Sequence, residues 1–415
     1  MGIVKLGIAA LLIRLVLAIP FYSGDLNNPA IWGIYAREFG FSGFYDFLNF
    51  GNYSRPDYPP LAIILFWAIR GLWEALFAAF WWLNITIPIF PSNFIPWFEK
   101  EGYILLLKLP GLIGDFLIGI ILYNYFAKQN KKLAVMAATL YWFNPATIYV
   151  SSMWGQVDGI VMLLGLLSFI FIERMKFVLG LLAFTSSILI KPTMLMIAPV
   201  LIYLLIRNGK EWPSIARGMV VAALFSAAVA WLFAPWNPVL WLVSNYFPKF
   251  VSGISANLPY IQIRTFNFWT LVTGNQFTPV ETQWLGITLY SWAVTLSLLV
   301  FTVLLILLLK KKDYWGASAL FIFASFLFLP RVHERYLLPI LPFLLVFGLK
   351  YPKTLWIFFI VSLLHFLNLY AAWQVPGSFF IPLISHDLFG RMASLGLCVT
   401  FLWLLLFYVM QIRKT

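Results

Sequence analysis

Four ionisable side chains, Arg331, His333, Glu334 and Arg335, interrupt the apolar stretch FLPRVHERYLLPILP at 328–342. Two arginines and a histidine on two short turns offer many N–H donors and up to three positive charges. Arginine forks match phosphate oxygens in pairs. The spacing therefore predicts an anion site, with Glu334 neutralising part of it. Other polar groups stand alone in apolar surroundings. Asp25 follows the first apolar run in YSGDLNNPAIW, and Asp57 precedes two prolines in SRPDYPPL. Gln156 and Asp158 follow a helix-breaking Asn144-Pro145 in FNPATIYVSSMWGQVDG, Lys191 precedes Pro192 in SSILIKPTML, and Arg264, Asn267 and Trp269 lie in QIRTFNFWTLV. Asp25 has two readings: an N-cap or turn residue before a helix near Pro29, or a carboxylate placed to take a proton from a hydroxyl. Asp57 reads as a cap, Lys191 as a snorkelling anchor or an anion ligand, and Arg264 as a further cation for an anion.

The elements that must position these groups are membrane helices. The chain is 62% hydrophobic, 19% aromatic and 10% charged, where a soluble domain is about 25% charged. Apolar runs lie near 3–21, 103–127, 133–150, 159–172, 177–190, 193–206, 214–234, 284–309, 314–330, 336–349, 354–373 and 389–411. They predict an all-α polytopic membrane protein of about twelve transmembrane helices, forming one integral domain over 1–415. The N-terminal run reads as an uncleaved first span, because Arg14 interrupts it and no small-residue cleavage site follows. Cys398 is the only cysteine, which excludes a disulfide framework and a thiolate metal centre.

One further run, 58–83, decides the topology. If it stays on the outer side as an interfacial or re-entrant segment, the charges fall into order. The inner segments then hold Lys5, Lys128, Lys131, Lys132, Arg174, Lys176, Arg207, Lys210, Arg217, Lys310, Lys311, Lys312, Lys350, Lys353, Arg413 and Lys414, against the acids Glu173, Glu211 and Asp313. Acids and bases balance on the outer side. The net charge of +13 is thus the positive-inside rule at work rather than a nucleic-acid surface. Both termini are expected in the cytoplasm. The large loops 22–102 and 235–283 are expected outside, with the unusual ionisable groups gathered at the outer boundary.

A carboxylate, a cluster of cations and a greasy scaffold at one outer face fit glycosyl transfer from a lipid-linked phosphate donor. No Walker loop, Rossmann glycine fingerprint or HExxH is present. The order GD, DYPPL, NP with a polar turn, LIKPTMLMIAP, NFW and HER resembles the dolichyl-phosphate-glucose glucosyltransferases of glycosyltransferase family 57, within the GT-C superfamily of polyprenyl-phosphate-sugar-dependent enzymes. The resemblance runs through nearly the whole chain as short motifs. It implies a GT-C fold whose large first external loop carries juxtamembrane helices. It implies Asp25 as general base, and His333, Arg331, Arg335, Lys191 and Arg264 around the donor phosphate. Asp57, Gln156, Asp158, Asn267, Trp269 and Glu334 would contact substrate. Glucose or mannose would pass with inversion to a lipid-linked glycan or another extracytoplasmic acceptor, in a prokaryotic plasma membrane. No essential metal is expected, although Asp25, Asp57 and Asp158 could gather a divalent ion. Two other classes share these features: a multispan lipid or polysaccharide transporter or flippase, and a ligase that moves a whole glycan from a polyprenyl diphosphate.

Overall fold

The computed structural model describes residues 2–46, 49–246, 259–310 and 313–410. Lys311, Lys312, Arg413 and Lys414, expected as inner anchors, lie outside the described residues, as does 247–258 of the second large loop. Helices dominate. The sheets among the described residues are two pairs of two-residue strands, Gln262–Ile263 parallel to Val332–His333 and Gln283–Trp284 antiparallel to Ile287–Thr288.

Among the described residues, six helical stretches are long and apolar enough to cross a membrane: Pro60–Thr86, Phe94–Ala127, Gly209–Phe233, Leu289–Lys310, Pro352–Ala372 and Asp387–Met410. A seventh arises if Lys131–Trp142 and Pro145–Trp154, bent by 44°, form one span. The protein is an all-α polytopic integral membrane protein. Fewer helices meet this length than the roughly twelve runs read from hydropathy, because several runs fold as shorter helices. The runs 159–172, 177–190, 314–330 and 336–349 fold as Asp158–Glu173, Phe177–Ile190, Tyr314–Phe328 and Ile340–Lys350, of 16, 14, 15 and 11 residues. Crossing a hydrocarbon core takes roughly 20 residues. Every residue from Tyr314 to Leu327 and from Ile340 to Leu349 is buried. A helix enclosed by protein on all sides is as apolar as one wrapped in lipid, so hydropathy does not separate the two.

The run 58–83 becomes one unbroken helix, Pro60–Thr86, of 27 residues with Pro60 in its first turn. At 1.5 Å per residue it is about 40 Å long. Arg70 pairs with Glu74 at 3.1 Å, as their i, i+4 spacing predicts, and Arg37 joins Glu74 at 2.9 Å.

Two features of the core position the site. The first is a buried network beneath the site. Arg14, on the Ile3–Ala18 helix, is fully buried. It donates to Ser151 Oγ, the Trp142 carbonyl and Thr147 Oγ1, each at 3.0 Å, and lies 3.5 Å from Asp115 Oδ2. The Tyr141 hydroxyl donates to Asp115 Oδ1 at 2.9 Å. Ionisable groups at this depth persist only when paired in this way. The second feature is a glycine crossing between Tyr103–Ala127 and Asp158–Glu173. A Cβ on Gly114 would stand 2.1 Å from the Gly159 carbonyl carbon, and one on Gly111 2.3 Å from the Gln156 oxygen. Only glycine lets the two backbones approach so closely.

Candidate active site

Asn144-Pro145 breaks the preceding helix as the sequence predicts. The Asn144 side chain accepts from the Ala146 N–H and starts the Pro145–Ile148 turn. That turn runs into a π-helical segment, Tyr149–Trp154, closed by Gly155 at φ +82°. Such π turns are rare and concentrate at functional sites. Here the segment is gripped at two depths. Ser151 holds Arg14, and Trp154, at the C-terminal end of the segment, reaches Asp25.

Asp25 stands in a single 3₁₀ turn, Gly24–Leu26, with its N–H donating to Ser23 Oγ at 3.3 Å. Its carboxylate does not cap the Asn27–Phe39 helix, whose N-cap position is Leu26 with no side-chain bond. It points inward instead. Oδ2 accepts from Arg335 Nη1 at 2.8 Å, Trp154 Nε1 at 3.0 Å and Gln156 Nε2 at 3.3 Å. The Asp25 side chain keeps 49% of its surface, against 13% for Arg335, so the carboxylate is anchored by one oxygen and remains reachable.

Lys108 fixes the approach to Asp25. It is fully buried, and its Nζ donates to the carbonyls of Ala18 at 2.7 Å, Phe21 at 2.5 Å and Met153 at 3.4 Å. One ammonium thus ties the end of the first helix, the turn before Asp25 and the π segment to the Tyr103–Ala127 helix.

On the opposing wall, Val332–His333 and Gln262–Ile263 form the short parallel ladder, with Ile263 opposite His333. Glu334 lies between its neighbours. Its oxygens stand 3.4 Å from Arg335 Nε and 3.8 Å from His333 Nδ1. The Arg335 guanidinium also lies 4.8 Å from the Trp154 ring centroid, a cation–π contact. His333 Nε2, Arg331 Nε and Arg335 Nε are buried without a hydrogen-bond partner, which leaves donor capacity in the wall. Burial pushes the Glu334 carboxyl up, but Arg335 and His333 together overcome it and hold the group at about 2. Burial opposes the Arg335 charge as well, and Glu334 and Asp25 hold that guanidinium above its ordinary range. Asp57 differs: burial pushes it up to about 6 even though the charges of His333, Lys191 and Arg335 pull the other way.

The structure gathers Asp25, Gln156, His333, Glu334 and Arg335 at one place, with Asp57 within their electrostatic reach. It gives other sequence candidates different tasks. Lys191 donates to both oxygens of Asp158, at 2.8 and 2.9 Å, with side-chain exposures of 3% and 2%. The pair is buried and bonded to itself, so in this structure it stands as a prop where the sequence suggested a phosphate contact for Lys191 and a substrate contact for Asp158. Asn267 is fully buried; its Oδ1 accepts from the Trp269 and Thr270 N–H groups and its Nδ2 donates to the Phe326 carbonyl. Trp269 is buried and donates to the Phe328 carbonyl at 3.0 Å. Both therefore secure the loop that carries Arg264 and do not line the site. Arg264 and Arg331, on the two sides of the ladder, turn to different cavities. Arg331 lines an apolar cavity of about 320 Å³ with Pro192, Met196, Phe301, Leu329 and Tyr336. Arg264 donates to the Ala372 carbonyl at 2.8 Å and lines another. Asp25, Asp57 and Asp158 do not make a metal cluster: among the described residues, no group of three or more His, Cys, Asp or Glu side chains is placed to hold an ion.

Trp154 and Lys108 carry much of this geometry, and residue type alone does not single them out. Trp154 is one of 19 tryptophans. The signal for Lys108 is a lysine inside the apolar run 103–127, away from the basic clusters.

Fold and site together define an integral membrane protein with an accessible carboxylate set against a cationic wall. No protein-family model matches the chain, and no curated protein matches it.

Proposed function

We propose that the chain is a hexosyltransferase of the GT-C type, dependent on a polyprenyl-phosphate sugar. The observation that carries this reading is the Asp25 carboxylate, half-exposed and held 2.8 Å from Arg335, in a wall whose His333 and Arg331 nitrogens are unpartnered. In this reading Asp25 takes the proton of an acceptor hydroxyl as that oxygen forms its bond to the anomeric carbon. The bond from that carbon to the donor phosphate oxygen breaks, and the phosphate leaves with the electron pair. Arg335, His333 and Arg331 stabilise the charge that grows on it. A phosphate needs no proton at departure, so one base suffices and the anomeric configuration inverts. The apolar cavity beside Arg331 suits the donor's isoprenoid tail. Gln156 and Trp154 aim Asp25, while Glu334 orients Arg335.

The same reading sets the topology. Arg70 and Glu74 are partly exposed along Pro60–Thr86, with Arg37 of Asn27–Phe39 against Glu74, which would be expensive at mid-bilayer. It favours an interfacial placement for that helix. The short buried helices then complete a GT-C arrangement of about twelve membrane segments, with cytoplasmic termini and an extracytoplasmic site in a prokaryotic plasma membrane.

The test is incubation of the purified protein with polyprenyl-phosphate glucose or mannose and lipid-linked glycan acceptors, followed by mass spectrometry. A product one hexose heavier supports the reading. Transfer of an entire glycan from a diphosphate donor would replace it with a ligase, and movement of lipid without a mass change would replace it with a flippase.

A further inference from the structure

Arg264 and Arg331 share an unusual backbone. Both are in the left-handed region, at φ +49° and +60°, where residues other than glycine are uncommon. Arg264 directly follows one strand of the parallel ladder and Arg331 directly precedes the other. The Arg331 N–H donates to the Ile261 carbonyl at 2.8 Å. Strained conformations concentrate where a side chain must be aimed, and the two arginines are aimed at separate cavities. The cavity at Arg331 is apolar.

The cavity at Arg264 differs in chemistry. It measures about 430 Å³ and is lined by Trp373, Phe277, Gln374, Asn275 and Ser385 as well as Arg264, its only charged lining residue. Arg264 is exposed; it donates to the Ala372 carbonyl and its guanidinium lies 5.9 Å from the Phe277 ring centroid. Trp373 is half-buried and stacks on Trp154 with ring centroids 5.3 Å apart. Trp154 in turn holds Asp25. The cavity is therefore one pair of stacked rings away from the carboxylate, and it shares no lining residue with the apolar cavity. An aromatic face beside a few convergent polar groups and one guanidinium suits a polyhydroxylated ring that carries a negative charge.

We infer that this cavity is a saccharide subsite in which Trp373 receives the ring face and Arg264 binds an anionic substituent such as a carboxylate. Its assignment as the acceptor's subsite rests on the transferase reading above; its binding does not.

The test uses the full-length protein in detergent and two probes, the neutral disaccharide maltose and the acidic disaccharide digalacturonate, followed by saturation-transfer NMR. Digalacturonate is expected to bind, with affinity falling as salt rises. Arg264→Gln should weaken it by roughly ten- to hundredfold, the worth of a hydrogen bond to a charged group, with the melting temperature unchanged. Gln374→Ala, at the exposed rim, gives a second variant that leaves the tryptophan stack intact and should weaken both disaccharides. Asp25→Asn should bind like the parent. Failure of digalacturonate to bind, or equal binding by Arg264→Gln and the parent, overturns the inference. Binding by a protein that transfers no sugar leaves the subsite standing and removes the transferase reading.

Discussion

Two arginine–aspartate pairs sit at different depths of this protein. Arg14 and Asp115 are sealed, with side-chain exposures of 0% and 1%, and Ser151, Thr147, Tyr141 and a backbone carbonyl occupy most of their remaining hydrogen-bonding capacity. Arg335 and Asp25 are closer together, at 2.8 Å, yet their environment is unfinished: Asp25 is half-exposed and neighbouring nitrogens have no partner. The charges are alike. Arg14 Nε is also without a partner, so what separates a structural pin from a site is whether a ligand can reach the free valence, and only Asp25 is open. Both pairs meet the same π turn, so the deep pair braces the segment from which Trp154 reaches Asp25.

The sharpest way to test this contrast is to damage each pair separately. Asp25→Asn should lower transfer by about 10²–10⁴-fold, the usual loss for a positioned base, while donor binding and melting temperature stay near the parent values. Near-normal turnover would remove Asp25 from the role of base. Arg14→Ala should act in reverse. It leaves Asp115 as an uncompensated buried charge, at a stability loss of about 3–5 kcal/mol. A melt in detergent that matched the parent would show that the deep pair braces nothing.

The cationic wall has its own signature in pH. The Glu334 carboxyl is lowered from 4.5 to about 2 by folding, so the folded state favours its ionised form. Its contribution, about 3 kcal/mol from the size of that shift, is fully present above pH 4.5 and is lost as pH falls through about 2. Glu334→Gln should therefore melt lower than the parent at neutral pH, with the gap closing on acidification. Asp57 has the opposite sign: raised from 3.8 to about 6, it costs stability as pH rises across that interval. A gap that widened in acid would overturn the assignment of Glu334 as the ionised partner of Arg335. The smallest effect belongs to Trp154→Phe. It keeps a ring under Arg335 and deletes one of the three donors to Asp25, so turnover should fall about tenfold, equivalent to roughly 1.4 kcal/mol, with no change in melting. An unchanged rate would mean that Arg335 and Gln156 aim Asp25 without help.

Much of the site was legible in the chain because a charge in apolar surroundings is conspicuous. Asp25, His333, Glu334 and Arg335 stand out for that reason, and their meeting in space agrees with the reading that put them on one face. Charge also marked Lys191 and Asp158, but residue type does not show that the two neutralise each other. Asn267 and Trp269 belong to a motif whose polar atoms serve its own loop. The direction of Arg264 depends on a left-handed backbone, which an arginine does not announce. Helix length was the least legible feature: Tyr314–Phe328 has only 15 residues, and hydropathy does not tell a short enclosed helix from a full-length one.

Where Gly114 meets Gly159 the molecule has no clearance. Asp158 opens the second of the two helices in that contact and clasps Lys191. A single added methyl would work as a wedge, tilting the floor beneath Gln156 and pulling the clasp apart. This point behaves like the fulcrum of a balance, where even a slight displacement unsettles both arms.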